Sequence, residues 1–334
     1  MSKPSQIASS DAEAATRRQP PPDPGTQTAS RQPTEPAPAR SEHQVQGRAL
    51  LRAMRPRQWI KNVLVAAAPG AAGVLIQPAV AGRVLLAFVA FCLVSSAIYL
   101  FNDIADVEAD TRHPVKSKRP IASGEVPVGV ASGAAGALLA VGLVLALVLR
   151  PAFAVLLVGY VLLMSAYTFW LKHMAVFDIA VVASGFIVRA VAGGLAVDVP
   201  ISRWFLIVTS FGSLFMVAGK RYSEHVTMGA ERETVRATLA AYSSGYLRYV
   251  YTMASAVTLL AYCLWAFEQS AREGALPWFE LSIVPFTVAI LRYALLLEEG
   301  HGGAPEEIVL GDRPLQLMGA AWLVLFAVGV SVAT

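Results

Sequence analysis

The chain is poor in charge and poorer still in cysteine. Lys, Arg, Asp and Glu together make 15% of its 334 residues, against roughly 25% in soluble domains, which excludes an ordinary water-soluble globule. Its two cysteines, Cys92 and Cys263, each sit inside an apolar run where a small hydrophobe serves equally well. No disulfide framework is expected, and the redox compartment is left open. Large apolar residues are almost missing from residues 1–46, which contain "RQPPPDPGTQTASRQPTEPAPARSE". Such a stretch cannot bury enough surface to offset its ordering entropy and is expected to be a disordered cytoplasmic tail. It also lacks a short apolar core behind a charged start, so it is not read as a signal peptide.

What the chain has instead is long apolar runs, with 55% hydrophobic residues and a mean hydropathy of +0.54. Stretches near the ~20 residues needed to cross a bilayer recur at close intervals. About nine are expected, at Gln58–Ile76, Ala79–Phe101, Val126–Leu149, Ala152–Leu171, Val176–Val197, Ser202–Ala218, Leu247–Phe267, Phe279–Leu297 and Leu315–Ala333. Lipid offers no partner for bare backbone groups, so runs of this length are helices. The prediction is an all-α integral membrane protein, with residues 47–334 as one transmembrane catalytic domain.

Basic residues orient the bundle. With the N-terminus inside, the inner side collects Arg48, Arg52, Arg55, Arg57, Lys61, Arg112, Lys116, Lys118, Arg119, Lys172, Lys220, Arg221, Arg232, Arg236 and Arg248. The outer side has mainly Arg83, Arg150, Arg203 and Arg272. This bias puts the N-terminus in the cytoplasm. Connections after the second and sixth runs are long and face inward, so chemistry is expected on the cytoplasmic face.

One inward connection carries "NDIADVEAD" and then "HPVKSKRP". Asn102, Asp106 and Asp110 follow at four-residue steps and Asp103 precedes Asp106 by three, so on a continuing helix all four share a face. Like charges on one stripe repel and need a compensating cation. Magnesium suits the position, since it takes one or two carboxylates and completes its shell with water and substrate phosphates. The spacing excludes an EF-hand loop. The plain alternative is a solvated loop balanced by Lys116, Lys118 and Arg119. Against it stand the helical spacing and a basic segment, broken by Pro114 and Pro120, that can fold over an anion.

Three further places hold polar groups. "MRPRQWIKN" sets Arg55, Arg57, Gln58, Lys61 and Asn62 at the inner boundary; positive-inside anchoring accounts for the cations, but orientation does not require Gln58 and Asn62. Arg189 sits inside the fifth run, where an ionisable group costs at least roughly 2.5 kcal/mol unless paired or hydrated. Asp178 lies about three turns before it and suits either a cap or ion pair with Lys172 or a substrate role. Gly193 and Gly194 suit close helix packing.

Asn102, Asp103, Asp106 and Asp110 in "NDIADVEAD", with the basic "KSKRP" behind them, resemble the first aspartate-rich motif of the UbiA superfamily of intramembrane prenyltransferases. That resemblance, covering about Arg48 to Thr334, implies a UbiA-like bundle of about nine helices around a membrane-open cavity. It also implies magnesium-bound diphosphate under cytoplasmic loops of a bacterial inner-membrane protein. The chain departs from the family pattern after the sixth run. Where a second D-x-x-x-D motif is usual it has "GKRYSEH", with Lys220, Arg221, Tyr222 and His225 around one acid, Glu224. A second metal held by paired aspartates is therefore doubtful and anion binding favoured.

"RPRQWIKN", "NDIADVEAD", "LKHMAVFD" and "FGSLFMVAGKRYSEH" together resemble the superfamily branch that transfers phosphoribose to a lipid phosphate for cell-wall arabinan. The resemblance implies 5-phosphoribosyl 1-diphosphate and polyprenyl phosphate as substrates, with Asn102, Asp103, Asp106 and Asp110 handling magnesium and diphosphate. It sets Arg55, Gln58, Lys61, Asn62, Lys116, Lys118, Arg119, Arg189 and Lys220 around the substrates, joined by Tyr167, Lys172, Asp178, Arg221 and Tyr222. Membrane lipid is a partner, nucleic acid is not, and a homo-oligomer is left open. Two alternatives stay open: a prenyltransferase acting on an aromatic acceptor, and a multi-pass transporter of an anionic or lipid substrate. The first lacks the second aspartate pair. The second lacks a repeat between the two halves, and the charges crowd one face rather than the midplane.

Overall fold

The computed structural model describes residues 42–227, 237–273, 277–300 and 305–333. Most of the tail, residues 1–41, lies outside them. Residues 42–46 do not continue it: helix α1 (Glu42–Ala53) begins at Glu42. A 3-10 segment (Pro56–Ala66) follows, then α2 (Ala67–Ala71), α3 (Pro78–Ala105), α4 (Val107–Arg112), α5 (Val128–Leu149), α6 (Pro151–Phe169) and α7 (Phe177–Val197). The chain continues through α8 (Arg203–Thr227), α9 (Ser244–Glu273), α10 (Trp278–Glu298), α11 (Pro305–Gly311) and α12 (Arg313–Ala333). Among the described residues there is no strand.

Seven of these helices, α3, α5, α6, α7, α9, α10 and α12, are long and apolar enough to cross a membrane. The difference from nine falls on two runs. The first is not one helix: Pro56 opens a 3-10 segment, and Pro69 has no N–H to give to the carbonyl four residues back, so regular α-helix is confined to a short piece. The sixth is the helix α8, which runs on through "GKRYSEH" to Thr227 instead of ending near Ala218. Thr209, Ser210 and Ser213 along it and the charged end lower its apolarity, while Lys and Arg are good helix formers that do not stop it.

Two of the spanning helices are central. α3 and α7 each bury 56% of their most apolar window, against 17% for α5 and 11% for α12, whose Val141, Val144, Leu147, Leu317 and Val324 face outward as lipid-exposed surface requires. One core packs α3, α5, α6 and α7 around Phe91, Phe153, Leu157 and Tyr160. Another packs α7 to α10 around Phe215, Tyr222, Tyr242, Tyr251 and Leu297. α7 contributes to both, so its two faces join the two groups of helices. Outside the spans, Arg150 and Asp198 pair at 2.5 Å between the connections before α6 and after α7.

α7 packs closely because of its glycines. A Cβ on Gly193 would lie 1.6 Å from the Val65 carbonyl oxygen, and one on Gly194 would lie 2.3 Å from the Ile201 side chain. The first obstacle is backbone and cannot rotate away, which fits the small-residue packing of membrane helices. Gly193→Ala is expected to lower the unfolding free energy by about 1–3 kcal/mol, read as a lower thermal midpoint of the purified protein in detergent. Gly133→Ala, where nothing lies within 4 Å, should leave the midpoint unchanged or slightly raised.

Candidate functional site

The end of α3 sets out the acidic stripe. α3 stops at Ala105, Asp106 is its C-cap with φ −96° and ψ 6°, and α4 resumes at Val107. The helical hydrogen bonds nevertheless bridge the break, with the Asp106 N–H donating to Asn102 O at 3.0 Å and the Asp110 N–H to Asp106 O at 2.8 Å. The stripe predicted from four-residue spacing thus survives a kink. Asp103 and Asp110 are each 2% exposed, so neither is a freely solvated loop residue.

Buried carboxylates need partners, and the chain supplies cations. Arg119 donates to Asp103 at 3.0 Å and to Asp110 at 2.6 Å, so one guanidinium spans both. Arg55 donates to Asp103 at 2.5 Å and lies over the Tyr99 ring, 4.8 Å from its centroid. Lys172 reaches both oxygens of Asp106 at 2.8 and 3.0 Å. Lys116 stands 3.9 Å from Asp110. Arg55 holds its place from a left-handed backbone, φ 56° and ψ 59°, a conformation uncommon outside glycine and concentrated at functional sites. Lys118, in the same basic segment, is exposed.

Among the described residues, no three His, Cys, Asp or Glu side chains gather as a ready cation cage. The donor set nonetheless fits a hard divalent ion. Three carboxylates and a carboxamide share the stripe, and the Asn102 Oδ1 is buried with no hydrogen-bond donor, an orphan acceptor beside acids.

The second cluster centres on Asp178, which is fully buried. The Arg221 Nε donates to it at 3.4 Å and the Thr238 hydroxyl at 3.3 Å, and the Tyr242 hydroxyl donates to its other oxygen. Arg221 also donates to Glu224 at 2.9 Å, and Lys220 stands 3.7 Å from the same acid. Tyr167 lies in the last turn of α6. Lys220 and Arg221 lie together on α8 as expected, and each already faces an acid. Burial, and then the hydrogen bond to Asp178, push the Tyr242 hydroxyl well above the ordinary tyrosine range, so it remains a donor at neutral pH. Thr238 and Tyr242 end the connection between α8 and α9. Its residues 229–236 lie outside the described ones, and 237–241 form a 3-10 turn.

Two predicted residues form a third group deeper in the bundle. Arg189 donates from Nε to Asn62 Oδ1 at 2.7 Å, from one terminal nitrogen to Gly185 O at 2.6 Å and from the other to the Tyr160 hydroxyl at 2.8 Å. Asn62 in turn donates to Cys92 Sγ and Ser95 Oγ, each at 3.3 Å. Neutral acceptors and the rings of Tyr160 and Phe91 surround this guanidinium, where an acidic partner is usual. Gln58 and Lys61 lie on the 3-10 segment that carries Asn62. Tyr222 goes elsewhere: it donates to Glu298 at 2.7 Å and accepts from Arg248 at 2.6 Å, in a cluster with Tyr251.

Sequence reasoning passed over Tyr160, Thr238, Tyr242 and Glu298. A lone tyrosine hydroxyl within an apolar run, as in "LLVGYVLLM", does carry a signal, because lipid gives it no partner. Thr238 and Tyr242 carry none, since they meet Asp178 only through the fold.

Comparison with known proteins bears on the whole chain. The model of the UbiA prenyltransferase family matches residues 63–309. A decaprenyl-phosphate phosphoribosyltransferase of Corynebacterium glutamicum is 47% identical over 84% of this chain and 86% of its own length. Proteins of the same name from Mycolicibacterium smegmatis, 47% identical over 82% and 90%, and Mycobacterium tuberculosis, 48% identical over 85% and 94%, are similarly close. Among solved structures, a UbiA homolog from Archaeoglobus fulgidus bound to GPP and Mg2+ superposes with a TM-score of 0.64 at 18% identity, covering 85% of this chain and 99% of its own.

The double contact of Arg119 sets a stability test. Arg119→Ala takes one cation from each of two buried carboxylates, leaving Asp103 to Arg55 and Asp110 only Lys116 at 3.9 Å, and is expected to lower the thermal midpoint in detergent. Adding Asp110→Asn removes the less compensated charge and should recover part of the loss, with a coupling of about 0.5–3 kcal/mol. Strict additivity of the two changes would show that the contact contributes nothing.

Proposed function

The chain belongs to the UbiA prenyltransferase family, and from that premise we propose that it transfers 5-phosphoribose from 5-phosphoribosyl 1-diphosphate to decaprenyl phosphate, releasing diphosphate. The observation that carries the reading is the high identity, over nearly the full length of both chains, to enzymes named for that reaction. The site's charge layout supports it. Where a prenyltransferase of the usual pattern would hold paired aspartates, this chain has Lys220 and Arg221, which suit a donor with a phosphate at each end.

Chemically, an oxygen of the lipid phosphate forms a bond to the anomeric carbon of the donor. The bond from that carbon to the diphosphate oxygen breaks, and diphosphate leaves with the electron pair. The centre passes through an oxocarbenium-like state, as in glycoside transfer. No protein base is required, because a phosphate monoester already carries about one to two negative charges near neutral pH. Single displacement inverts the centre, so an α donor gives a β product.

The residues divide the electrostatic work. Asp103, Asp106, Asp110 and the Asn102 carboxamide oxygen would hold magnesium, which when bound neutralises charge on the leaving diphosphate. Arg55, Lys116, Arg119 and Lys172, now on the carboxylates, are the cations that would meet the phosphate oxygens. A donor bound together with its metal would match both sets of charge and leave no buried ion uncompensated. Lys220, Arg221 and Tyr167 serve the 5-phosphate end, and Asp178 fixes Arg221. Asn62 and Arg189, with Gln58 and Lys61 on the same 3-10 segment as Asn62, would serve the lipid phosphate. The apolar tail stays among the spans. The protein is multi-pass; the lysine and arginine bias supports a site on the cytoplasmic face, and the bacterial sources of the relatives support an inner-membrane protein.

The purified protein should move label from phosphoribosyl diphosphate into decaprenyl phosphate when magnesium is present, and should not join a prenyl diphosphate to an aromatic acid. Asp103→Ala and Asp106→Ala are expected to lower the rate by about 100-fold or more while the protein still elutes as a folded species. Label transfer with retained configuration would exclude single displacement. Prenyl transfer instead would assign the chain to the family's usual chemistry.

A further inference from the structure

Val176 is a β-branched residue with φ 72° and ψ −49°, a rare and strained conformation close to that of the γ-turn. It sits at the end of "LKHMAVFD", four residues after Lys172 and two before Asp178. Something must hold it there. The Val176 N–H donates to the Tyr242 hydroxyl at 2.5 Å, and that hydroxyl donates onward to Asp178. Tyr242 is itself fixed: its ring is 5% exposed, belongs to the core of α7 to α10, and stacks on Tyr246 with centroids 5.7 Å apart.

On one side of the strained residue the chain returns to Lys172, whose ammonium reaches both oxygens of Asp106. On the other it enters α7, where the Asp178 N–H donates to Met174 O at 3.0 Å and the Ala180 N–H to Val176 O at 2.9 Å. Asp178 also accepts from Arg221. One hydroxyl thus stands where the acidic stripe's lysine and the arginine of the second cluster meet through five residues of backbone.

We propose that Tyr242 is a positioning residue: its hydroxyl pins the strained turn at Val176 and thereby sets Lys172 and Arg221 in register for the donor's two phosphate ends. This deepens the phosphoribosyl-transfer reading and rests on it. Removing the hydroxyl leaves the Val176 N–H and one Asp178 oxygen without that partner. The turn relaxes toward ordinary φ, and residues 171–175 swing with it. Val176→Gly removes the steric cost of positive φ, so the native path of the chain stays accessible when the hydroxyl is gone.

The test compares initial rates of the full-length wild type, Tyr242→Phe and the double variant Tyr242→Phe/Val176→Gly, with each substrate varied in turn. Transfer by the wild type settles the underlying reading separately. Displacement of positioned groups by about 1 Å costs up to about 100-fold. Tyr242→Phe is accordingly expected to raise the KM for phosphoribosyl diphosphate about tenfold or more and leave that for decaprenyl phosphate unchanged. The double variant should return the donor KM to within about threefold of wild type. A merely structural role would reduce the active fraction, lowering kcat with both KM values unmoved, and that result overturns the proposal. So does a double variant no better than Tyr242→Phe. If Tyr242→Phe alone does not fold, the double variant decides: recovery of folded protein with near-normal donor KM supports the proposal, and no recovery overturns it.

Discussion

Carboxylates buried at the end of an apolar helix cannot stand without cations in contact, and this requirement organises the polar end of the helix bundle. Asp103 and Asp110 are almost wholly enclosed, so each needs a cation close by. Arg55 and Arg119 supply it within hydrogen-bond distance, Lys116 stands near Asp110, and Lys172 pairs with the neighbouring Asp106, so the cations come from three separate stretches of chain. The 3-10 segment, the basic turn after α4 and the connection between α6 and α7 are thereby drawn onto one stripe. On the proposed function, a site arranged this way suits a ligand that carries both signs of charge. A bare cation would leave the arginines unpartnered, and a bare diphosphate would face the aspartates.

The fold serves the same end. α7 carries Asp178 at its start, Arg189 in its middle and Gly193 near its close, and its two faces enter both cores. The close approach at Gly193 brings the 3-10 segment against α7, which is what lets Asn62 meet Arg189 inside the apolar bundle. Packing and polar chemistry are linked by geometry here: a wider helix contact would separate the arginine from the carboxamide that accepts its hydrogen bond.

Much of this was legible in the sequence, and for identifiable reasons. Apolar length marks a spanning helix whatever its neighbours, so seven spans emerged directly. Four-residue spacing marks a face, so Asn102, Asp103, Asp106 and Asp110 could be grouped, and the helical hydrogen bonds kept that grouping through the break at Asp106. Gly193 was recognisable as a packing residue because a membrane helix uses small side chains for close approach. What stayed hidden depends on pairing across the fold. Tyr222 shared a motif with Arg221, yet α8 points it to Glu298, since adjacent helical residues face different ways. Arg189 signalled a need for partners without naming Tyr160, 29 positions away. The irregular start, "MRPRQWIKN" onward, looked like one more helix because hydropathy does not register the Pro69 interruption.

The central claim is that metal and diphosphate enter as a matched pair, and calorimetry measures it directly. Magnesium should bind weakly to the protein alone, and phosphoribosyl diphosphate weakly in chelator. Each should tighten the other's binding by the same factor, at least about fivefold. Tight binding of either one alone, unaffected by the other, would contradict the account.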